Sequence, residues 1–432
     1  MLKKYKKCVI LKSNINAVKI MKKNIKSFLL FLFVVMLGFV ASSYYFGSDV
    51  FNVESIINLI ENKQSTSVLK IDDNKYNADG GFYYSSLNDE EKRIYDKIYA
   101  RAKNQKTQIK IRSNIDEERI LEIAMFVYNE HPELFWLNGA FSIDTSKVVT
   151  LKSSYNSNEI AKLSEQIKSK TDSIVQNLNS NMSDYEKSLY LYEYLITNTS
   201  YANEAIDNLD NMPWASSLVG VFTMGKCTCT GYAKAYQYLL QLSGINCAVV
   251  SGKATTPQGR RSHAWVIQEC GGSYYYTDPT WGDCFDENNK EYISHSYFCL
   301  SESEIEKTHT INHKDILPKC TANKDNYFVK NNLLFSSYSR ADIKKALKSC
   351  VENGKYYVEL KFTNKSAYID ANNELFKQGQ IYYILSVMSL KNKNIDVKNI
   401  KYSNNDNLCI ITIFFDKANN LQMYVLYNYN VI

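Results

Sequence analysis

The sequence predicts an α+β fold: a helix carrying a cysteine packed on an antiparallel sheet, with an N-terminal helical extension and a small C-terminal α+β domain. Three observations predict it. An amphipathic run, Ala233 to Leu242, follows Cys229 and is stopped by Ser243-Gly244, an ordinary glycine stop. Cys247–Gly252, His263–Gln268 and Ser273–Thr277 then read as strands, with Cys270-Gly271-Gly272 as a hairpin turn. From about Asn326 a helix over Asp342–Asn353 is followed by short segments of strand character.

The elements follow in order. Asn88-Asp89-Glu90-Glu91 caps a helix over roughly 89–104, with Tyr95, Ile98 and Tyr99 at helical spacing. Thr107–Arg112 alternates as a strand does. Ile115–His131 is amphipathic, with Ile120, Ile123, Ala124 and Val127 on one face. Phe135–Leu137 and Val148–Leu151 read as short strands, and Ser157–Leu178 as a long helix. Ser183-Asp184-Tyr185-Glu186 is a capping box for a helix to about Ile196. Tyr201–Trp214 and the polar stretch Lys253–Arg261 read as loops. Beyond the 342–353 helix come Tyr356–Thr363, Ile381–Leu390 (helix or strand), Val397–Tyr402, Leu408–Phe415 and Met423–Tyr429.

Chemistry concentrates between Gly225 and Asp278. A cysteine at a helix start meets free N–H groups and the positive end of the helix dipole, which favour a thiolate. A thiolate nucleophile needs a base and a group to orient that base. With the turn centred between Cys270 and Gly271, Gln268 faces Ser273, Trp265 faces Tyr276 and His263 faces Asp278. Opposed residues share a face and lie close enough to hydrogen-bond. The candidate site is therefore Cys229 as nucleophile, His263 as base and Asp278 as orienting carboxylate.

Gly225-Lys226, Cys229-x-Gly231-Tyr232-Ala233, His263-Ala264-Trp265 and Asp278-Pro279-Thr280-Trp281 occur in order at plausible spacing. Together they resemble the transglutaminase-like superfamily of papain-like thiol enzymes, in the version found in extracytoplasmic proteins of Gram-positive bacteria. The resemblance is closest over about 183–300. Tyr83–Asn88 and His131–Trp136 also resemble the segment before the core in such proteins. The resemblance implies the same three roles for Cys229, His263 and Asp278. It further implies a protein or peptide substrate, such as one of the cell wall, with the acyl group passed to water or to an amine. Two departures stand out: Cys227 occupies a position usually held by glycine, and Ser216-Ser217 appear where relatives often carry Gln-Ser. These give weight to an alternative, a weakly active or inactive fold serving as an extracytoplasmic binding or assembly module.

The domains expected are a basic tail with a signal peptide or membrane anchor (1–48), a linker (49–80), an α/β extension (81–182), the catalytic core (183–320) and the C-terminal domain (321–432). The chain has 432 residues and a formal charge of +6. Residues 1–26 hold nine lysines and no acid, which leaves the remainder with 42 basic against 45 acidic residues. A near-neutral body argues against a nucleic-acid partner. The basic flank and the apolar run 28–46 predict an extracytoplasmic body, anchored in the membrane or secreted after cleavage. No cofactor or metal is expected. A zinc site at His309-x-x-x-His313, with both rings on one helix face, is a minor reading. Disulfides Cys270–Cys284 or Cys299–Cys320 are conceivable in that compartment.

Overall fold

The computed structural model describes residues 81–417 except 257–258, 286–289 and 390–394. The basic tail, the apolar run, the linker and the closing segment 423–429 lie outside the described residues. All that is described falls in the unit Leu69–Ile432. The architecture is α+β. Among the described residues, no helix is long and apolar enough to cross a membrane.

The helices begin where their capping signals stand. Asn88, Asn156 and Ser183 each form a reciprocal capping box ahead of α1 (Asp89–Lys103), α3 (Ser157–Val175) and α4 (Asp184–Thr197). Asp116 caps α2 (Glu117–Glu130) through the Arg119 N–H. Between α1 and α3 lies a three-stranded sheet of β1 (Gln108–Lys110), β3 (Val148–Ser153) and β2 (Leu137–Ile143), in the order β1-β3-β2. The loop expected over 201–214 is more structured. β4 (Ser200–Tyr201) pairs in parallel with β5 (Lys226–Cys227), and helical turns fill Asn203–Ala205, Pro213–Ser216 and Gly220–Met224. These turns are too short to carry a periodic signal.

The cysteine-bearing helix is α5 (Cys229–Leu242). It packs on a four-stranded sheet of order β11-β6-β7-β8, made of β6 (Cys247–Thr256), β7 (Gly259–Cys270), β8 (Ser273–Thr277) and β11 (His309–Ile311). The polar stretch 253–261 is not a loop. Strand occupies Lys253–Thr256 and Gly259–Arg261 within it, pairing Lys253 with Ser262 and Thr256 with Gly259. Polarity there reflects the exposed end of the hairpin, and polar residues do not prevent strand pairing. A small ribbon follows, β9 (Asp283–Phe285) with β10 (Glu291–Ile293).

The N-terminal extension grips α5 through the end of α2. Four carbonyls at a helix C-terminus lack intrahelical donors, and Pro132 removes the N–H that would have served Tyr128. Three side chains one face apart on α5 supply the missing donors. Lys234 Nζ donates to the Tyr128 carbonyl at 2.7 Å, Gln237 to that of Asn129 at 2.7 Å, and Gln241 to that of Glu130 at 2.9 Å. The buried Glu130 carboxylate in turn accepts the backbone N–H groups of Tyr83 and Tyr84 and the Tyr95 hydroxyl. His131-Pro132 and Tyr83-Tyr84 are thus parts of one clamp.

Burial lowers the Lys234 ammonium to about 7. Because its folded value lies below the unfolded 10.5, the unfolded chain binds more protons between these limits, and this contribution to stability rises with pH there. Urea melts of the wild type and Lys234→Met at pH 7, 8 and 9 should show it. The difference between them is expected to move in favour of the wild type by up to about 1.4 kcal/mol per pH unit.

The C-terminal region carries its own hydrophobic core, built around Leu347, Leu360, Ile384, Ile411 and Ile413. β12 (Leu334–Phe335), β13 (Tyr357–Phe362), β15 (Ile410–Lys417) and β14 (Ile395–Asn405) form its sheet, in that order. Helices α6 (Arg340–Glu352), α7 (Lys365–Asn372) and α8 (Gln380–Ser389) accompany it, which settles 381–389 as helix. It docks on the core through Glu359. That buried carboxylate accepts from the Ser294 hydroxyl and the His295 N–H and pairs with His295 Nδ1 at 2.8 Å.

Candidate active site

Cys229 is the first residue of α5. Thr228 is extended, and its hydroxyl turns to the Ala215 carbonyl at 3.2 Å instead of capping the helix. No Thr228 cap occupies the first N–H groups of α5, which suits an anion at this end. Gly231 is required for close packing. A Cβ there would lie 2.5 Å from the Cys227 Cβ and 2.6 Å from the Ala215 carbonyl oxygen.

His263 on β7 and Asp278, just past β8, come together, but not by direct opposition. Gly271 and Gly272 both adopt positive φ, and this two-residue turn pairs Cys270 with Ser273 and Gln268 with Tyr275. The expected register is corrected by two residues. Continued past Thr277, the ladder would set Trp265 across from Asp278, so His263 and Asp278 are diagonal neighbours. A shift of two keeps every side chain on its face, whereas a shift of one would have separated the pair. His263 Nε2 donates to Asp278 Oδ2 at 2.7 Å. The other oxygen, Oδ1, accepts the backbone N–H groups of Thr280 at 2.9 Å and Trp281 at 3.3 Å. This explains the Asp-Pro-Thr-Trp run: the carboxylate closes its own turn.

With Nε2 committed to Asp278, the ring offers Nδ1 to sulfur, and Cys229 is hydrogen-bonded to His263. Burial alone would raise the Cys229 thiol. The His263 hydrogen bond and charge, with the Ala264 N–H, outweigh it and bring the thiol below its ordinary value. Burial pulls His263 down, but the Asp278 charge and hydrogen bond, then Cys229, lift it to about 10. Asp278 is fully buried, which opposes ionisation. The two histidines outweigh that and hold its carboxyl far below the usual range.

Cys227 differs in every respect. It is fully buried, and burial raises its thiol well above the ordinary value. Neither disulfide pairing is present. All the cysteines of the described residues are free thiols, and that of Cys270 meets Cys299.

Two residues enter that sequence reasoning missed. Tyr201 is brought beside the helix start by the β4–β5 pairing, with the Ala202 N–H on the Cys227 carbonyl at 2.9 Å. Its phenol oxygen takes the Cys229 N–H. His309 is not on a helix face with His313. It lies on strand β11, wholly buried, with Nε2 3.2 Å from Asp278 Oδ2. His313 sits in a left-handed turn and pairs with Glu122 instead. The zinc reading by that motif is therefore corrected: a strand does not stack residues four apart as a helix does.

His263, Asp278 and His309 offer ligand atoms within 4.8 Å of one another, a spacing a metal ion could use. Here Oδ2 lies within hydrogen-bonding distance of both rings and accepts a hydrogen bond from each. The cluster is accounted for as a hydrogen-bond network.

The fold and this cluster define an α+β, papain-like arrangement: a cysteine at a helix start against a histidine and an aspartate of one antiparallel sheet. Residues 172–279 match the family model described as the Transglutaminase-like superfamily, so the segment holding all three candidates is transglutaminase-like. No curated protein matches the chain significantly. Among solved structures, one described as a TGase is similar at 16% identity and a TM-score of 0.26, over 43% of this chain and 53% of its own. A candidate cysteine protease from Cytophaga hutchinsonii is similar at 17% identity and a TM-score of 0.22, over 29% of this chain and 43% of its own. The chain thus spans about half the length of these structures, and neither likeness is close enough to bear on function.

Proposed function

We propose that this protein is a thiol enzyme acting on carboxamide or peptide bonds of a protein or peptide substrate. The observation that carries the reading is the chain of contacts from the partly buried Cys229 through His263 to the buried Asp278. The Cys229 thiolate attacks the carbonyl carbon to give a tetrahedral oxyanion. His263 passes its Nδ1 proton to the departing amine as the C–N bond breaks, leaving a thioester. Water or a second amine then attacks, His263 takes its proton, and collapse releases acid or a new amide along with the thiolate. Asp278 keeps Nε2 protonated and the ring aimed throughout.

Tyr201 supports the oxyanion step. Burial and the Cys229 charge push its phenol up to about 12, so it remains a donor at neutral pH. Accepting the Cys229 N–H leaves its own O–H for the substrate oxygen. Tyr201→Phe is expected to lower kcat by about 10²-fold while iodoacetamide still modifies Cys229 at a rate within a few-fold of wild type. An unchanged kcat would exclude this role.

The decisive experiment is iodoacetamide labelling at graded pH. A thiol modified well below about pH 8, and lost in Cys229→Ala, supports the enzyme; a Cys229 as sluggish as a free thiol favours a binding or assembly module. Release of free acid against incorporation of a fluorescent amine then separates hydrolysis from cross-linking. An extracytoplasmic setting, through residues 28–46 as anchor or cleaved signal, belongs to the same proposal. Fractionation of cells with an antibody to the core would test it.

A further inference from the structure

We propose that His309 is a positioning residue of the triad: its Nε2–H donates to the same Asp278 oxygen that receives His263 Nε2–H, so that one carboxylate oxygen is divided between two rings. This rests on the reading of Cys229, His263 and Asp278 given above.

The sheet is built to let the two rings meet. His263 on β7 pairs with Gly252 on β6, and His309 on β11 pairs with Ala254 on β6. Gly252 and Ala254 are two apart and share a face, the face from which both histidines project. With almost no side chain on the strand between them, the rings converge over it to 5.4 Å between centroids. Any larger residue would close the space. A Cβ on Gly252 would already lie 1.9 Å from the Thr310 carbonyl oxygen and 2.8 Å from the Trp265 ring.

Chemistry fixes the tautomer. An ionised carboxylate only accepts, so the nitrogen facing it carries a proton. In the neutral ring Nδ1 is then the acceptor, and the Thr308 hydroxyl stands 2.8 Å from it. Asp278 therefore receives four donors: Thr280 N–H and Trp281 N–H on Oδ1, His263 and His309 on Oδ2. The backbone donors set the orientation of the carboxylate. His309 draws charge from the oxygen that holds His263 Nε2–H, and so lowers the affinity of the ring for the Nδ1 proton that must pass to the leaving amine. The other titratable groups that act on Asp278 are Tyr192 on α4, Tyr201 on β4, Cys229 on α5, Cys284 on β9 and Tyr297. Burial raises the three tyrosines and Cys284, and Cys229 alone among them is brought below its ordinary value, by His263.

The test uses ring-15N-histidine spectra of the full chain, which has only five histidines to assign. In wild type, His309 is expected to show Nε2 protonated and Nδ1 unprotonated. In a Cys229→Ala background, which removes the sulfur's own pull, His263 is titrated with His309 intact, as His309→Leu and as His309→Gln. Leu fills the space without a donor and is expected to raise the His263 midpoint by roughly one pH unit. Gln places an N–H near the lost Nε2 and is expected to restore the original midpoint. An unprotonated Nε2 in wild type, an unmoved or lowered midpoint in a folded Leu variant, or a Gln variant that behaves as Leu would each overturn the proposal. Should the Leu variant fail to fold, the wild-type tautomer and a comparison of Gln with the shorter Asn decide. Failure of the enzyme reading looks different, since wild-type Cys229 would then react with iodoacetamide as a free thiol.

Discussion

Cys229→Ser is expected to abolish turnover, a loss on the order of 10⁶-fold if the three residues act as one unit. A serine hydroxyl at this position does not ionise near neutrality, so the helix start and the His263 proton have no anion to stabilise. The variant should fold as the wild type does, because the change is one atom and leaves the shape of the side chain almost unaltered. Cys227→Ser is the control. Its thiol is buried and raised by burial, so iodoacetamide labelling should survive this change and vanish only with Cys229. Peptide mapping of the labelled protein checks both expectations. Label on Cys227 in the wild type would reverse the assignment.

Asp278→Asn is expected to cost about 10⁴-fold in kcat, by the logic of a triad whose histidine loses its tautomer. The carboxylate accepts from donors on both oxygens. An amide in the same place must aim its NH₂ either at the Thr280 and Trp281 N–H groups or at the two rings. Either way a donor faces a donor in a fully buried position, and His263 loses the carboxylate that holds its Nε2 proton and its aim at the sulfur. Labelling of Cys229 at pH 6 should slow accordingly. The stability effect has a sign of its own. The folded carboxyl is held below its unfolded value of 3.8, so its contribution is present above that value and declines as pH falls through the folded one. Acid titrations followed by circular dichroism should show the wild type losing this advantage over the Asn variant as pH drops below about 4.

How much of this was legible in the chain differs from one residue to the next. Helix starts at Asn88 and Ser183 were readable because a cap and its partner are three residues apart, and the same polar atoms form the same bonds in any fold; the Asn156 cap was found only in the structure. The α5 boundaries followed from periodicity and a glycine stop. The hairpin was readable in its strands but not in its register, since Cys270-Gly271-Gly272 admits two turn centres and only the observed positive φ pair selects one. The His263–Asp278 contact withstood that error because a two-residue shift preserves the face. His309 gave no such signal. A histidine on a three-residue edge strand looks like any surface histidine until the strand is placed beside β6.

The sequence by itself determined which residues stand at a helix start, on a strand and before a proline, because each of those depends on neighbours within a few positions. Only the tertiary structure decided that His309 reaches Asp278 across 31 positions and that Lys234 meets Tyr128 across 106. Such contacts leave no periodicity or spacing behind, because they are created by the packing of strand edges and helix ends whose partners the local chain does not specify.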